Sequence, residues 1–327
     1  MKSHLFRIGW LLLQMCIVIA MVDSAMAQPD YPNRPIKMIV SASPGGNTDL
    51  LARAVSERLA EALRQPVIVE NRSSALGVVA AEATMVAAPD GYTLLATWHT
   101  HTISVAMNPK LSYHPVESFT PITQFTSAGL MLLVNSSAPP KNLKEFANWA
   151  KNSGTPLNFG SSGNGSGGHL AGELYKKMAG VKGQHIPYKG TGPAITDLLA
   201  GRYDFTFGAL QGAPVNMVRA GKLRAIAVTT TTRLSAWPDI PAVAEVLPGF
   251  EVIGWYGLIG PAKLPRPIVA RLNEEVRKAL EYPSVSERIA ADGAVSVGNS
   301  PEEFRQFLHA DLNKWSKLVA EIGAKLD

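Results

Sequence analysis

The chain has 327 residues, 46% of them hydrophobic and 17% charged, enough to bury one large core or two ordinary ones in a soluble globular protein. A formal charge of +5, with no long basic block and no interleaving of basic and aromatic residues, argues against nucleic acid as a partner, while the mild positive field favours small anions. One cysteine, Cys16, excludes an internal disulfide and a cysteine metal cluster.

Residues 1–27 read as a secretory signal peptide. Lys2 and Arg7 precede IGWLLLQMCIVIAMV, and DSAMA ends in the small-residue pair Ala25 and Ala27. The apolar run is interrupted by Gln14 and is shorter than the roughly 20 residues a spanning helix needs. Cleavage after Ala27 is therefore expected, with the mature chain in the periplasm. Cys16 leaves with the segment, and losing two cations and one anion takes the formal charge from +5 to +4.

Short apolar runs then alternate with helical periodicity, the signature of an α/β fold with mainly parallel sheets flanked by helices. IKMIV, from Ile36, predicts a first strand, followed by the loop SASPGGNTD. Leu51, Val55, Leu59 and Leu63 put an apolar stripe on a helix capped by Asn47 or Thr48 and ended by Gln65-Pro66. VIVE and YTLLAT continue as strands, with a helix between them that runs up to the turn Pro89-Asp90-Gly91. LMLLV, LNFG, QHIPY, DFTFGA and LRAIAV form a second series of strands, with helices from Leu143, His169 and Pro193. VIGWYGLIG reads as one more strand, and PRPIVARLNEEVRKALE and PEEFRQFLHADLNKWSKLVAEIG as amphipathic helices.

Two places in this series look alike: IKMIVSASPGGNTDLLAR and LNFGSSGNGSGGHLAGELY are each a strand, a Ser/Gly-rich loop and a helix. Such a loop brings backbone N–H groups close to a ligand at a helix N-terminus, where they suit an anion. Gly163, Gly165 and Gly168 match the dinucleotide spacing, but that reading needs an acidic residue at the end of the next strand, where Tyr188 and Lys189 stand. Neither loop contains Arg or Lys. The expected donors are loop amides and the hydroxyls of Ser41, Ser43, Thr48, Ser161, Ser162 and Ser166. Charge-assisted bonds of that kind contribute roughly 1.5–3 kcal/mol each.

Other chemistry is sparse. Trp98, His99 and His101 follow a strand without a nearby carboxylate or third histidine, so no metal is expected. A ligand loop is one reading, with Trp98 as a wall and Thr100 and His101 as hydrogen-bonding groups; a packed aromatic beside a satisfied histidine is the other. Ser166 lacks the G-x-S-x-G context of a nucleophile, because position 164 is Asn. Asp49 reads as a brace for its own loop more readily than as a base. Trp255-Tyr256-Gly257 reads as core.

Taken in order, YPNRPIKMIVSASPGGNTDLLAR, VIVENR, APDGYTLL, HLAGELYKKMAG, HIPYKGTGPAITDLLAGRYD, WPDIPAVAEVLPGFEVIGWYGL and PIVARLNEEV resemble the extracytoplasmic receptors of tripartite tricarboxylate transporters, the Bug receptors. The resemblance covers essentially all of the mature chain. It implies a two-domain periplasmic binding protein of type II, a Venus flytrap closing on a small carboxylate through two glycine loops and ordered water. Carried over, the first loop supplies Ser43, Gly45, Gly46, Thr48 and Asp49, and the second supplies Ser161, Ser162, Gly163, Ser166 and His169. Thr100 and His101 match a Thr-His pair, Tyr188, Lys189 and Gly190 a Tyr-Lys-Gly turn, and Asp204 an aspartate near the cleft. The chain departs from the family at Ser73 to Gly77, at Trp98 and His99, where small residues are usual, and at Ala209.

The expectation is a monomeric binding protein without cofactor or catalytic residues, serving membrane transporter subunits or a sensor. Domain I would comprise 28–125 and 250–327, and domain II 126–249. The alternative is an exported enzyme, a hydrolase or a nucleotide-dependent oxidoreductase, using the loops as an oxyanion or phosphate cradle.

Overall fold

A computed structural model describes residues 31–108, 110–210, 212–291 and 293–322; the expected signal peptide and Cys16 lie outside them. Strand β1 (Ile36–Val40) is buried on both faces except at Lys37, as a central parallel strand must be. It pairs in parallel with β2 (Val67–Asn71) and β3 (Thr93–Trp98). The connections are helices α1 (Asn47–Leu63) and α2 (Val78–Met85). The stripe Leu51, Val55, Leu59 and Leu63 of α1 packs on Met38, Val40 and Leu94 of this sheet. Helix α3 (Thr100–Met107) then starts directly after β3, where the sequence reads as a loop.

Strand β4 (Phe119–Asn135) is the longest and belongs to both halves of the molecule. Residues 119–129 pair antiparallel with β9 (Ile253–Pro261), which also pairs with β3. Residues 130–135 pair antiparallel with β7 (Phe205–Ala209) and β8 (Leu223–Val228). Beyond β7 come the parallel strands β5 (Phe159–Ser161) and β6 (His185–Pro187). The sheet order is thus β2-β1-β3-β9-β4-β7-β5-β6, with β8 and the short β10 (Val295–Ser296) also on β4. The sheet is mixed: parallel at both flanks, antiparallel where β4 and β9 join them.

The second half carries α4 (Leu143–Asn152), α5 (Gly167–Ala179), α6 (Thr191–Leu199) and α7 (Gly212–Arg219). The chain closes with α8 (Arg266–Glu281), α9 (Pro283–Ala291) and α10 (Pro301–Ile322). Helix α10 joins the halves. Its Phe304 and Leu308 pack with Trp255 and Ile259, while Trp315, Leu318 and Val319 pack with Leu132, Phe159, Leu170 and Phe205. Between these two groups the buried Asp311 accepts hydrogen bonds from Thr102 Oγ1 at 2.6 Å, Trp255 Nε1 at 3.0 Å and Trp315 Nε1 at 2.8 Å. Burial pushes its carboxyl upward, and the three donors oppose that shift.

Candidate functional site

The two glycine loops are built on one plan. After β1 the chain turns through Gly45 at φ +79° and enters α1 from an extended Gly46. The Gly45 amide bends back to Asp49 Oδ2 at 2.9 Å, and the Gly46 amide bonds Ser43 O at 3.2 Å. After β5 the chain turns through Gly165 at φ +73° and enters α5 from an extended Ser166. The Gly165 amide bends back to His169 Nδ1 at 3.1 Å, and the Ser166 amide bonds Gly163 O at 3.2 Å. In each loop a left-handed glycine donates to a side chain one helical turn ahead.

Against the cost of burial, the Arg53 guanidinium, the Gly45 amide and Asn71 hold the Asp49 carboxyl below its ordinary range. Asp49 therefore braces its loop as a carboxylate. His169 does the same as a neutral imidazole, since burial lowers its pKa. Its ring stacks on His185 at 3.8 Å.

This plan corrects the expected donor set. The amides of Gly45, Gly46, Gly163 and Gly165 are engaged within the loops, the Gly163 amide on Ser161 Oγ at 3.1 Å. The amides without an intrahelical carbonyl are those of the first helical turns, Asn47 and Thr48 in α1 and Gly167 and Gly168 in α5.

A cavity of about 320 Å³ lies where these turns approach each other. Asn47, Trp98, His99, Gly254 and Tyr256 line it from one half of the sheet. Ser162, Ser166, Gly167, Gly168, Thr191 and the run from Thr206 to Leu210 line it from the other, and Leu130 and Gly129 form its floor along β4. It lies at the carboxyl ends of β3, β5 and β7, where open α/β sheets receive ligands. Among the described residues no Lys, Arg, Asp or Glu lines it.

Of the residues expected from sequence, Trp98, Ser162 and Ser166 line this cavity. Ser43 and Gly45 are exposed at the loop tip, with Gly46 partly covered, and Thr48 and Asp49 are buried behind it. Ser161 Oγ is closed beneath the second loop, 2.7 Å from His185 Nε2 and 3.0 Å from Gly163 O. Tyr188 bonds Asp197 through its hydroxyl and Ser161 O through its amide, and the Gly190 amide bonds Ser162 O. This clamp sets the start of α6, so that Thr191 reaches the cavity while Lys189 points to solvent.

Two expectations are corrected outright. His101 lies in the core, with Nε2 on Pro115 O at 2.8 Å and its ring stacked on Tyr113 and edge-on to Phe119. Because a helix starts at Thr100, each position is turned by about 100° from the last, and 101 faces away from the cavity; Thr100 is buried there too and lines no part of it. Asp204 accepts the Asn158 amide at 2.7 Å at the start of β7, whereas the cavity is at the other end of that strand.

Sequence reading missed His99, Asn47, the Gly167–Gly168 pair and Tyr256 as lining residues. Strand alternation held the signal for Tyr256: Trp255 points into the core toward Asp311, so its neighbour must face the opposite side. No group of described residues could hold a metal ion, and no described helix is long and apolar enough to cross a membrane.

Residues 51–324 match the model of the tripartite tricarboxylate transporter family receptor, and the chain belongs to this family. BugT of Bordetella pertussis is 33% identical over 315 residues, which cover 95% of this chain and 96% of that protein. MatC from Rhodopseudomonas palustris, solved with bound malate, is 34% identical and aligns with a TM-score of 0.72 over 88% of this chain and 100% of its own. A second R. palustris protein, solved with adipate, is 32% identical with a TM-score of 0.76 over 90% and 100%. The mixed α/β fold is that of periplasmic binding proteins such as BugD, at 30% identity and a TM-score of 0.72.

Proposed function

We propose that the protein is an extracytoplasmic solute-binding receptor that holds a small carboxylate in the cavity between two lobes and delivers it to transporter subunits in the membrane or to a sensor. The observation that carries this reading is a cavity with no charged side chain among the described residues, lined instead by Gly167 and Gly168 of the first turn of α5 and by Ser162 and Ser166, the latter with its hydroxyl donating to Ser161 Oγ. A carboxylate placed there is bound by oriented N–H and O–H groups and the helix N-terminus. That malate and adipate occupy relatives of this chain supports the ligand class.

The lobes are 28–125 with 250–327, and 126–249, with β4 and the segment before β9 as the two crossings. Removal of residues 1–27 would release a monomer into the periplasm. The exported-enzyme alternative needs a nucleophile facing the cavity. Ser161 has a histidine at hydrogen-bond distance, but its hydroxyl is covered by the loop and its partner His185 is pushed down to about 3, chiefly by burial. We therefore read the chain as a binder and not a catalyst.

Thermal denaturation of residues 28–327 with malate, adipate, aromatic acids and NAD tests the assignment. Stabilisation by at least one acid without its conversion is expected, about 2.7 kcal/mol when the ligand is at a hundred times its Kd. Stabilisation by NAD alone would overturn it.

Neighbouring glycines give a sharper test. A Cβ on Gly167 would stand 3.4 Å from Leu130 Cδ1 and 3.7 Å from His99 Nε2, ordinary contacts within the cavity. Gly167→Ala should leave the Tm of the free protein within about 1–2 °C, yet weaken acid binding about tenfold or more by filling the carboxylate's place. At Gly168 the same methyl would fall 2.5 Å from Phe207 O, so Gly168→Ala should lower stability itself, by about 1–3 kcal/mol.

A further inference from the structure

The two glycine loops fall in different lobes, yet one short segment touches both. Between β2 and α2 the chain makes a single turn, Ala75–Gly77, in which Leu76 and Gly77 are both left-handed, at φ +54° and +77°. Glycine takes that conformation freely, whereas a branched leucine takes it against its own Cβ. Strain of this kind persists only where the surroundings over-determine it, so what holds Leu76 in place indicates what the turn does.

Its supports lie on both loops. On the side of the first loop, the Cβ position of Gly77 is 2.9 Å from Ser41 Cβ, so the turn rests directly on the residue that follows β1. Upstream, Asn71 at the end of β2 donates to Ala42 O at 3.1 Å and to Asp49 Oδ1 at 2.8 Å, and the Arg72 amide bonds Val40 O at 2.9 Å. Ser74 fixes the turn itself: its carbonyl accepts the Gly77 amide at 3.1 Å and its hydroxyl the Val79 amide at 3.0 Å. On the side of the second loop, the half-buried Leu76 packs against the core that holds Met107 of α3, Leu170 and Phe207. The Cβ position of Gly165 is 2.5 Å from Met107 Sδ and 3.7 Å from Leu76 Cδ2. The thioether thus fills the place of a side chain on the Gly165 turn, with Leu76 beside it. Because side-chain direction follows the backbone, an extended or right-handed residue at 76 would aim elsewhere.

We propose that the segment Ser73–Gly77 couples the two glycine loops across the lobes, with Leu76 as the positioning residue that holds the Gly165 turn and, through it, Gly167 and Gly168 in the cavity wall. Gly165 is where such a contact acts: its amide is braced on His169 Nδ1, and α5 begins two residues later. Leu76 itself lines no part of the cavity, so its effect on binding is indirect. The coupling needs no ligand; its consequence for carboxylate binding rests on the receptor reading above.

Hydrogen exchange of residues 28–327 without ligand, followed by mass spectrometry, tests the coupling. Leu76→Gly keeps the left-handed turn without strain and deletes the side chain; Leu76→Asn, which also tolerates that region, covers the case in which the first variant fails to fold. In either variant the amides of Gly165, Ser166 and His169 should exchange about tenfold faster or more, while those of α8 stay within about twofold of the wild type. Leu76→Met keeps a long apolar side chain and should hold exchange in the loop to within about threefold of the wild type. Titration with malate and adipate should show binding weakened about fivefold or more in Leu76→Gly and near the wild-type value in Leu76→Met. Unchanged exchange over residues 162–170 in both Leu76→Gly and Leu76→Asn, or acceleration spread equally into α8, overturns the proposal. So does wild-type affinity in Leu76→Gly. Because the exchange comparison uses no ligand, it decides this proposal even if every acid fails to bind, the outcome that overturns the receptor reading.

Discussion

The protein should lose stability steeply as the pH falls from about 6.5 to 4, before its carboxylates are protonated. Burial pushes His101 down to about 4, and its Nε2 contact with Pro115 O only partly offsets that shift. His99 is likewise lowered to about 4 by burial, and His185 to about 3 by burial with His169 and Lys176 adding to it. A native pKa below the unfolded value of about 6.5 means that the unfolded chain takes up protons first. Stability is then fully present above pH 6.5 and declines until the native pKa is reached. Each such histidine gives a slope of at most about 1.4 kcal/mol per pH unit, and His101 alone contributes on the order of 3 kcal/mol across the window. Asp49 and Glu70, whose pKa values are lowered, act in the same sense but only below about pH 4, whereas Asp311 and Asp204, whose pKa values are raised by burial, act in the opposite sense. Urea midpoints measured at pH 7.5, 6.5, 5.5 and 4.5 should fall at each step below 6.5, and His101→Gln should flatten the slope by about one proton. Midpoints that stay level down to pH 4.5 would show that these rings are not buried neutral.

The same histidines mark how far the sequence could be read. The strand, glycine loop and helix units were legible because local rules govern them: apolar stripes at helical spacing, and glycines where φ must be positive. Even the brace by Asp49 was legible, since a first-turn acid has few other partners. The choice between His99 and His101 was not. It depends on α3 starting at Thr100, which the polar run WHTHT conceals, and on which side of that turn faces the second half of the molecule.

The donor set was hidden for a related reason. Sequence places glycine amides in a loop but cannot say that Gly45 and Gly165 bend theirs onto Asp49 and His169, which leaves the Gly167–Gly168 turn to face the cavity. Tertiary pairing also concealed the first half of β4. Pro121, Thr123, Gln124 and Thr126 precede LMLLV without an apolar run of their own, and all four are buried. Asn299 accepts the Gln124 amide at 2.9 Å and, through its carbonyl, Thr123 Oγ1 at 2.9 Å, while Asn273 donates to Ile122 O at 2.9 Å. These partners lie some 150 residues or more along the chain, outside any window that sequence periodicity can use.

Replacing Asp311 should have the largest effect of any single change on α10. Its carboxyl oxygens accept hydrogen bonds from Thr102 on α3, Trp255 on β9 and Trp315 on its own helix. Asp311→Ala strands two indole N–H groups, while the one Thr102 hydroxyl proton, which has both Asp311 Oδ2 and His99 O within reach, is left to His99 O. With about 1–3 kcal/mol for each of the two buried groups left unpaired, a loss of about 2–6 kcal/mol is expected, or about 3–10 °C in Tm for a chain of this size. Asp311→Asn retains one acceptor oxygen but turns an N–H₂ toward a donor, so it should recover only part of the loss. Position makes the effect functional as well as structural. Asp311 lies where α10 passes from Phe304 and Leu308 in one core to Trp315 and Leu318 in the other, and its partner Thr102 also holds the carbonyl of His99. Loosening this joint should blur the relation between the His99 wall and the α5 turn across the cavity. Acid binding by Asp311→Asn, measured well below its own Tm, should therefore be weaker than that of the wild type. Wild-type affinity in that variant, or a loss of less than about 1 kcal/mol in Asp311→Ala, would mean that the carboxylate neither joins the two cores nor supports the site.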